Sequence, residues 1–234
     1  LWPEQTLATL SLEEKIAQIL MIPAWSDPNH TSYYHEKVKK FVSQYSIGGI
    51  IFMQGSPGRQ VKLTNEYQQL AKVPLLIAMD AEWGLGMRLD STIAYPRQLT
   101  IGACTDDSLT YYFGRELARQ LKRMGVHVSF SPVVDINNNC KNPVISNRSF
   151  GEPKDWVASQ SLMYMNGLQD HGVMACAKHF PGHGDTEVDS HKDLPVIPHS
   201  RVRIDSLELY PYRHLIRHGL GSIMTGHLNV PAWD

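Results

Sequence analysis

Six short apolar runs, each followed by a polar segment with helical spacing, constrain this chain more than any other feature. The runs are KIAQILMIPA (15–24), IGGIIFMQG (47–55), VPLLIAMDAE (73–82), VHVSFSPVVDI (126–136), VMACAKHF (173–180) and GSIMTGHLNV (221–230). They are rich in Ile, Val and Leu and do not strictly alternate with polar residues, which is how strands covered on both faces read. Between them, SLEEKIAQ opens on Ser11 with Glu14 three residues on, a capping box. Helical spacing recurs over 57–72, 105–125, 154–172 and 200–219. In the 105–125 segment, Leu109, Phe113, Leu117 and Leu121 stand four apart. Gly125, Gly172 and Gly219 supply stop signals.

Such alternation predicts an α/β chain with a parallel sheet and right-handed crossovers. A doubly wound sheet would carry GxGxxG after its first strand, whereas here that strand runs into PAWSDPN. The expected fold is therefore a (β/α) TIM-type barrel, of which about the first six βα units are present, as one domain over 1–234 with the C-terminal part missing. A partial barrel of this kind would leave two sheet edges open.

Bulk properties remove several classes of function. Of 234 residues, 19% are charged, and the formal net charge is -1, so no global field draws the chain to nucleic acid or anionic lipid. No apolar run reaches the ~20 residues of a membrane span. Cys104, Cys140 and Cys176 form no CxxC pair and are expected to be free thiols. The chain starts at Leu1 without a basic-then-apolar leader, so no signal peptide is read here. The compartment stays open between an exported mature chain and a cytoplasmic one.

In a (β/α) barrel, chemistry collects at the carboxyl ends of the strands. Asp80 and Glu82, with Arg88 beyond, follow the third run, and Asp135 follows the fourth. Lys178 and His179 follow the fifth, and His227 the sixth. Each alone reads as a solvated loop charge. Together they read as one rim.

The stretch KHFPGHGDTEVDSHKD (178–193) is nearly devoid of apolar side chains. A metal site would draw on His183, Asp185, Asp189, His191 and Asp193. Pro181 and Gly182 exclude a helical His pair, and no histidines end the first strand, which weighs against that reading. The alternative is a proton-transfer dyad. On an extended backbone, Asp189 and His191 fall on the same side. A carboxylate on one ring nitrogen orients the imidazole and leaves the other nitrogen to deliver a proton. Gly182 and Gly184 supply backbone freedom.

The stretch KHFPGHGDTEVDSHKDLP resembles the signature of glycoside hydrolase family 3 β-N-acetylglucosaminidases. SLEEKIAQILM, IGGIIFM, PLLIAMDAEWGLGMRL, SPVVDIN, NRSFGEP and SIMTGHL follow in that family's order. The resemblance implies His191 as general acid/base with Asp189 as its partner. It implies Lys178 and His179 on the sugar hydroxyls, Arg148 as a clamp on that sugar and Asp80 on its distal hydroxyls. Arg88 stands for the family arginine in a divergent stretch, AEWGLGMRL, where Trp83 adds an apolar wall or packs beneath the loop. Asp135 organises the rim, and Met224 and His227 line it.

The family's nucleophile is an Asp after a later strand, beyond residue 234, and Asp234 is not read as that group. The chain alone is therefore expected to be inactive. The implied activity is that of a retaining exo-β-N-acetylglucosaminidase, without metal or organic cofactor. Its substrate would be a small N-acetylglucosaminide such as a muropeptide, with an additional C-terminal domain in the parent protein. A phosphate-using phosphorylase in the same site and an inactive sugar-binding barrel are the alternatives.

Overall fold

A computed structural model describes residues 1–189 and 193–233. Strands β1 (Met21–Ala24), β2 (Gly49–Phe52), β3 (Leu76–Met79), β4 (Val128–Ser129), β5 (Met174–Phe180) and β6 (Ser222–Thr225) form one curled sheet in chain order. All neighbouring pairs are parallel. Helices α1 (Trp2–Thr9), α2 (Leu12–Ala17), α3 (His35–Tyr45), α4 (Pro57–Leu70) and α5 (Gln98–Gly102) accompany the first half. Helices α6 (Ser108–Arg123), α7 (Lys154–Gln169), α8 (Arg201–Ser206) and α9 (Tyr210–Arg217) accompany the second. The result is an α/β half-barrel, as the alternation of runs and helices predicts.

The local signals act where they stand. Ser11 Oγ accepts from the Glu14 amide and Glu14 returns a carboxylate to the Ser11 amide, so the capping box of α2 is complete. Gly125, Gly172 and Gly219 close their helices with φ of 71°, 80° and 85°, a region costly for any residue with a Cβ.

Three expectations are revised. The segment 200–219 is two helices, because Pro211 lacks an amide proton and starts α9 in place of continuing α8. The fourth run is regular strand only over Val128–Ser129; it then passes through Pro132, which has no N–H for the ladder, and meets β5 again at a single bridge, Val133 to Lys178. On α6 the buried face is Thr110, Gly114, Leu117, Ala118 and Leu121, while Leu109 in the first turn is 49% exposed.

Gly114 sets that face. It lies at the α6–α7 crossing opposite Gly167, where a Cβ on Gly167 would sit 2.3 Å from the Tyr111 carbonyl. Gly167→Ala would gain helix propensity, about 1 kcal/mol. Pushing the two backbones apart should cost more, and we expect a net loss of about 1–3 kcal/mol. A lower urea midpoint at unchanged m value is the expected result; an unchanged or higher midpoint would show that the helices separate freely.

The core fills the layer between sheet and helices, with Ile50, Phe52, Ile77, Met79, Leu117, Leu121, Tyr164 and Leu168 fully enclosed. The inner side of the curl is less covered. Leu76 and Met174 are 43% and 40% exposed and border a hollow of about 340 Å³. Among the described residues β6 does not pair with β1, so these strands are not buried on both faces as their composition predicts. Cys104 is half-buried, Cys140 exposed and Cys176 buried, and all three are free.

Candidate active site

The carboxyl ends of β3, β4 and β5 bring the charged residues together. Asp80 and Glu82 leave β3 on the same side, two residues apart. Lys178, on β5, donates to both, at 2.9 Å to Asp80 Oδ1 and 2.7 Å to Glu82 Oε1. Arg88 closes on Asp80 Oδ2 at 2.5 Å. Arg148, from the short turn Ser146–Arg148, grips Glu82 with two parallel bonds, Nε to Oε2 at 2.9 Å and Nη2 to Oε1 at 2.7 Å. Two carboxylates thus meet three cations.

His179 belongs to a second, adjoining unit. Asp135 Oδ2 lies 2.7 Å from His179 Nδ1, and the same carboxylate accepts the amides of His179 and His183, the latter at 2.7 Å. The tautomer of His179 follows from its partners. A carboxylate can only accept, and the guanidinium of Arg148, 3.3 Å from Nε2, can only donate. His179 therefore carries its proton on Nδ1 and presents Nε2 as an acceptor. Asp135 thus joins the His179 ring to the start of the segment after β5.

Exposure separates two roles. Asp80, Arg88, Arg148 and His179 keep 15–18% of their side-chain surface open, whereas Lys178, Glu82 and Asp135 keep 0–3%. The first four can touch a ligand. The other three hold them in place. Burial raises the carboxyl pKa of Glu82, but the Lys178 and Arg148 charges and their hydrogen bonds win, bringing it down to about 2. Burial likewise opposes ionisation of Asp80, and Lys178 and Arg88 overcome it and hold that carboxyl low. Both carboxylates are ionised near neutral pH, and the rim is a fixed array of charges.

Glu82 was legible only as a strand-end acid. Its part in the site comes from Arg148, which lies 66 positions away in the chain. The one available signal is the two-residue spacing from Asp80. Trp83 is half-buried with the Arg97 guanidinium 3.9 Å over its ring. Met224 packs inside the curl against the Ala78, Val128 and Cys176 cluster, below the rim. His227 is exposed just beyond β6.

The long segment after β5 starts deeply buried. Gly184 lies so close to Ile136 that a Cβ would overlap its carbonyl oxygen at 1.7 Å, so only glycine fits. His183 is 1% exposed, with Nδ1 2.5 Å from Thr186 Oγ1. Asn142 donates to its carbonyl at 2.7 Å. Exposure begins at Glu187. Asp189 is half-buried, while His191 lies outside the described residues. The other residues of the metal reading go to separate partners: Asp185 to His199 and Arg203, and Asp193 to the Leu194 amide.

Residues 11–234 match the Glycosyl hydrolase family 3 N terminal domain. The chain belongs to glycosyl hydrolase family 3. A β-hexosaminidase A of Pseudoalteromonas piscicida is 35% identical over 212 residues, which cover 85% of this chain and 36% of that protein. The solved structure of a family 3 β-N-acetylglucosaminidase from Paenibacillus sp. superposes with a TM-score of 0.86 at 37% identity, covering 96% of this chain and 43% of that one. A β-glucoside phosphorylase bound to 2FGlc superposes with a TM-score of 0.91 at 26% identity, covering 99% and 41%. The family 3 chain described here spans less than half the length of each of these three proteins.

Proposed function

We propose that this family 3 barrel binds a terminal β-linked N-acetylglucosamine and works in a retaining exo-β-N-acetylglucosaminidase, with muropeptide-type fragments of peptidoglycan as substrates. One observation carries the reading. Asp135 holds both the ring of His179 and the buried start of the segment that leads to Asp189 and His191. A binding rim and a proton-transfer segment therefore share one anchor. The similarity to β-hexosaminidases and to a β-N-acetylglucosaminidase supports the same reading.

In this mechanism Asp80, Arg88, Arg148 and His179 orient the sugar through its hydroxyls, with Lys178 fixing Asp80. A carboxylate beyond residue 234 attacks the anomeric carbon. His191, oriented by Asp189, gives its proton to the departing glycosidic oxygen, and a glycosyl-enzyme forms. Neutral His191 then takes a proton from water as the water oxygen displaces the carboxylate, and configuration is retained.

Release of 4-nitrophenol from the N-acetyl-β-glucosaminide and the β-glucoside, by the full-length protein and its His191→Ala variant, tests this. The expected result is cleavage of the N-acetyl substrate only, with most turnover lost in the variant. Turnover that survives the substitution would remove His191 from proton transfer. The likeness to a phosphorylase gives the second reading a specific footing. Turnover that requires inorganic phosphate and yields a sugar phosphate would select it, and cleavage of neither sugar would select an inactive sugar-binding barrel.

A further inference from the structure

Past Thr186 the segment after β5 swings outward and returns at His199. Along 187–198 only Pro195 and Ile197 are buried among the described residues, and Val188, Leu194 and Val196 are 40–56% exposed. Apolar packing therefore does little to place this excursion, which carries Asp189 and His191. Contacts at its two feet hold its ends.

At the outgoing foot, His183, Thr186 and Asn142 bond to one another. At the returning foot, Ile197 and Pro195 pair with Asn229 beyond β6, both at 2.9 Å. One contact joins the feet directly. Asp185 Oδ2 lies 2.6 Å from His199 Nε2 and 3.4 Å from Arg203 Nη2 on α8. Arg203 also reaches the buried Glu208 at 3.2 Å, and the Glu208 side chain lies against Gly182, where an added Cβ would meet it at 2.9 Å. Asp185, His199 and Arg203 thus form a clasp across the base of the excursion.

We infer that the Asp185–His199–Arg203 clasp is a positioning device for proton delivery to the leaving group. Its residues touch no sugar. They tie together the two ends of the segment that carries His191. This rests on the proposed reading of His191 as acid/base. Half-exposed ion pairs contribute little to global stability, so the clasp variants should fold. A displaced proton donor, by contrast, loses rate steeply.

The test compares kcat/KM of the full-length protein across aryl N-acetyl-β-glucosaminides. These run from 2,4-dinitrophenyl, whose leaving group needs no proton, to phenyl, whose leaving group does. The variants are Asp185→Asn, His199→Gln, their double and His191→Ala, each checked for an unchanged unfolding midpoint. For Asp185→Asn and His199→Gln the expected loss is about 10–100-fold on the phenyl glycoside, with the dinitrophenyl glycoside within about twofold. The double should be no worse than either single. A loss that is equal across leaving groups, or no loss, overturns the clasp while His191→Ala retains the leaving-group dependence. If His191→Ala itself shows no such dependence, the acid/base reading fails and the clasp falls with it.

Discussion

Replacing Lys178 by methionine is expected to lower the unfolding free energy by about 3–5 kcal/mol at neutral pH. The ammonium is 3% exposed and bonds two carboxylates at once, and its loss leaves Glu82, 1% exposed, with less compensation in a place that water does not reach. Arg88 still holds the other oxygen of Asp80, and Arg148 still holds both oxygens of Glu82, sharing Oε1 with Lys178, so each carboxylate keeps one cation. The deficit should depend on pH in a definite sense. In the wild type Glu82 has a folded pKa of about 2, below its ordinary value of 4.5. Its stabilisation is fully present above about 4.5 and fades as pH falls towards 2. Without Lys178, Arg148 alone opposes the burial of Glu82, the folded pKa of that carboxyl rises, and protonation relieves the variant at a higher pH than the wild type. The gap between wild type and variant should therefore be widest near pH 7 and narrow below about pH 4.5. Urea midpoints taken from pH 3 to pH 7 read this directly. A gap independent of pH would mean that Lys178 acts by packing alone.

The second large effect is expected at Asp135. Asp135→Asn keeps the shape and loses one acceptor. The carboxylate now receives the His179 ring, the His179 amide and the His183 amide in a place with no access to water. An amide group turns an NH2 towards donors that need an acceptor. Each donor left unpaired costs about 1–3 kcal/mol, so the midpoint should fall well beyond the effect of a surface change. The His179 ring should also lose its fixed tautomer, and Nε2 its role as an acceptor beside Arg148. Under the proposed function, KM for the N-acetyl substrate should rise in the full-length protein. An unchanged midpoint together with an unchanged KM would show that the buried start of the segment is held by Asn142 and Thr186 instead.

Much of the site was legible because barrel geometry gathers strand ends. Asp80, Arg88, Lys178 and His179 could be named from the chain, as each follows an apolar run, and Arg148 from the family resemblance. The division of labour among them could not be read. Nothing local distinguishes the 15% exposure of Asp80 from the 1% of Glu82, since that difference arises where β3, β5 and the Arg148 turn converge. The clasp was equally hidden. His199 and Asp185 are 14 residues apart, and a half-exposed ion pair leaves no periodic mark.

The sequence by itself determined the six strands and their order and the helices α2, α4, α6 and α7, but not α1, α3 or α5. Apolar runs of strand length, a capping box at Ser11 and stop glycines at 125, 172 and 219 act through neighbours a few residues away, so a local reading captures them. Tertiary structure decided what depends on contacts between distant segments. It split 200–219 at Pro211 and shortened β4. It left the inner face at Leu76 and Met174 half open, and it joined Lys178 to Glu82. The physical reason is range. Backbone preferences and hydrophobic periodicity are written within one or two turns of chain, whereas burial and charge pairing are properties of surfaces that meet only after the sheet has curled.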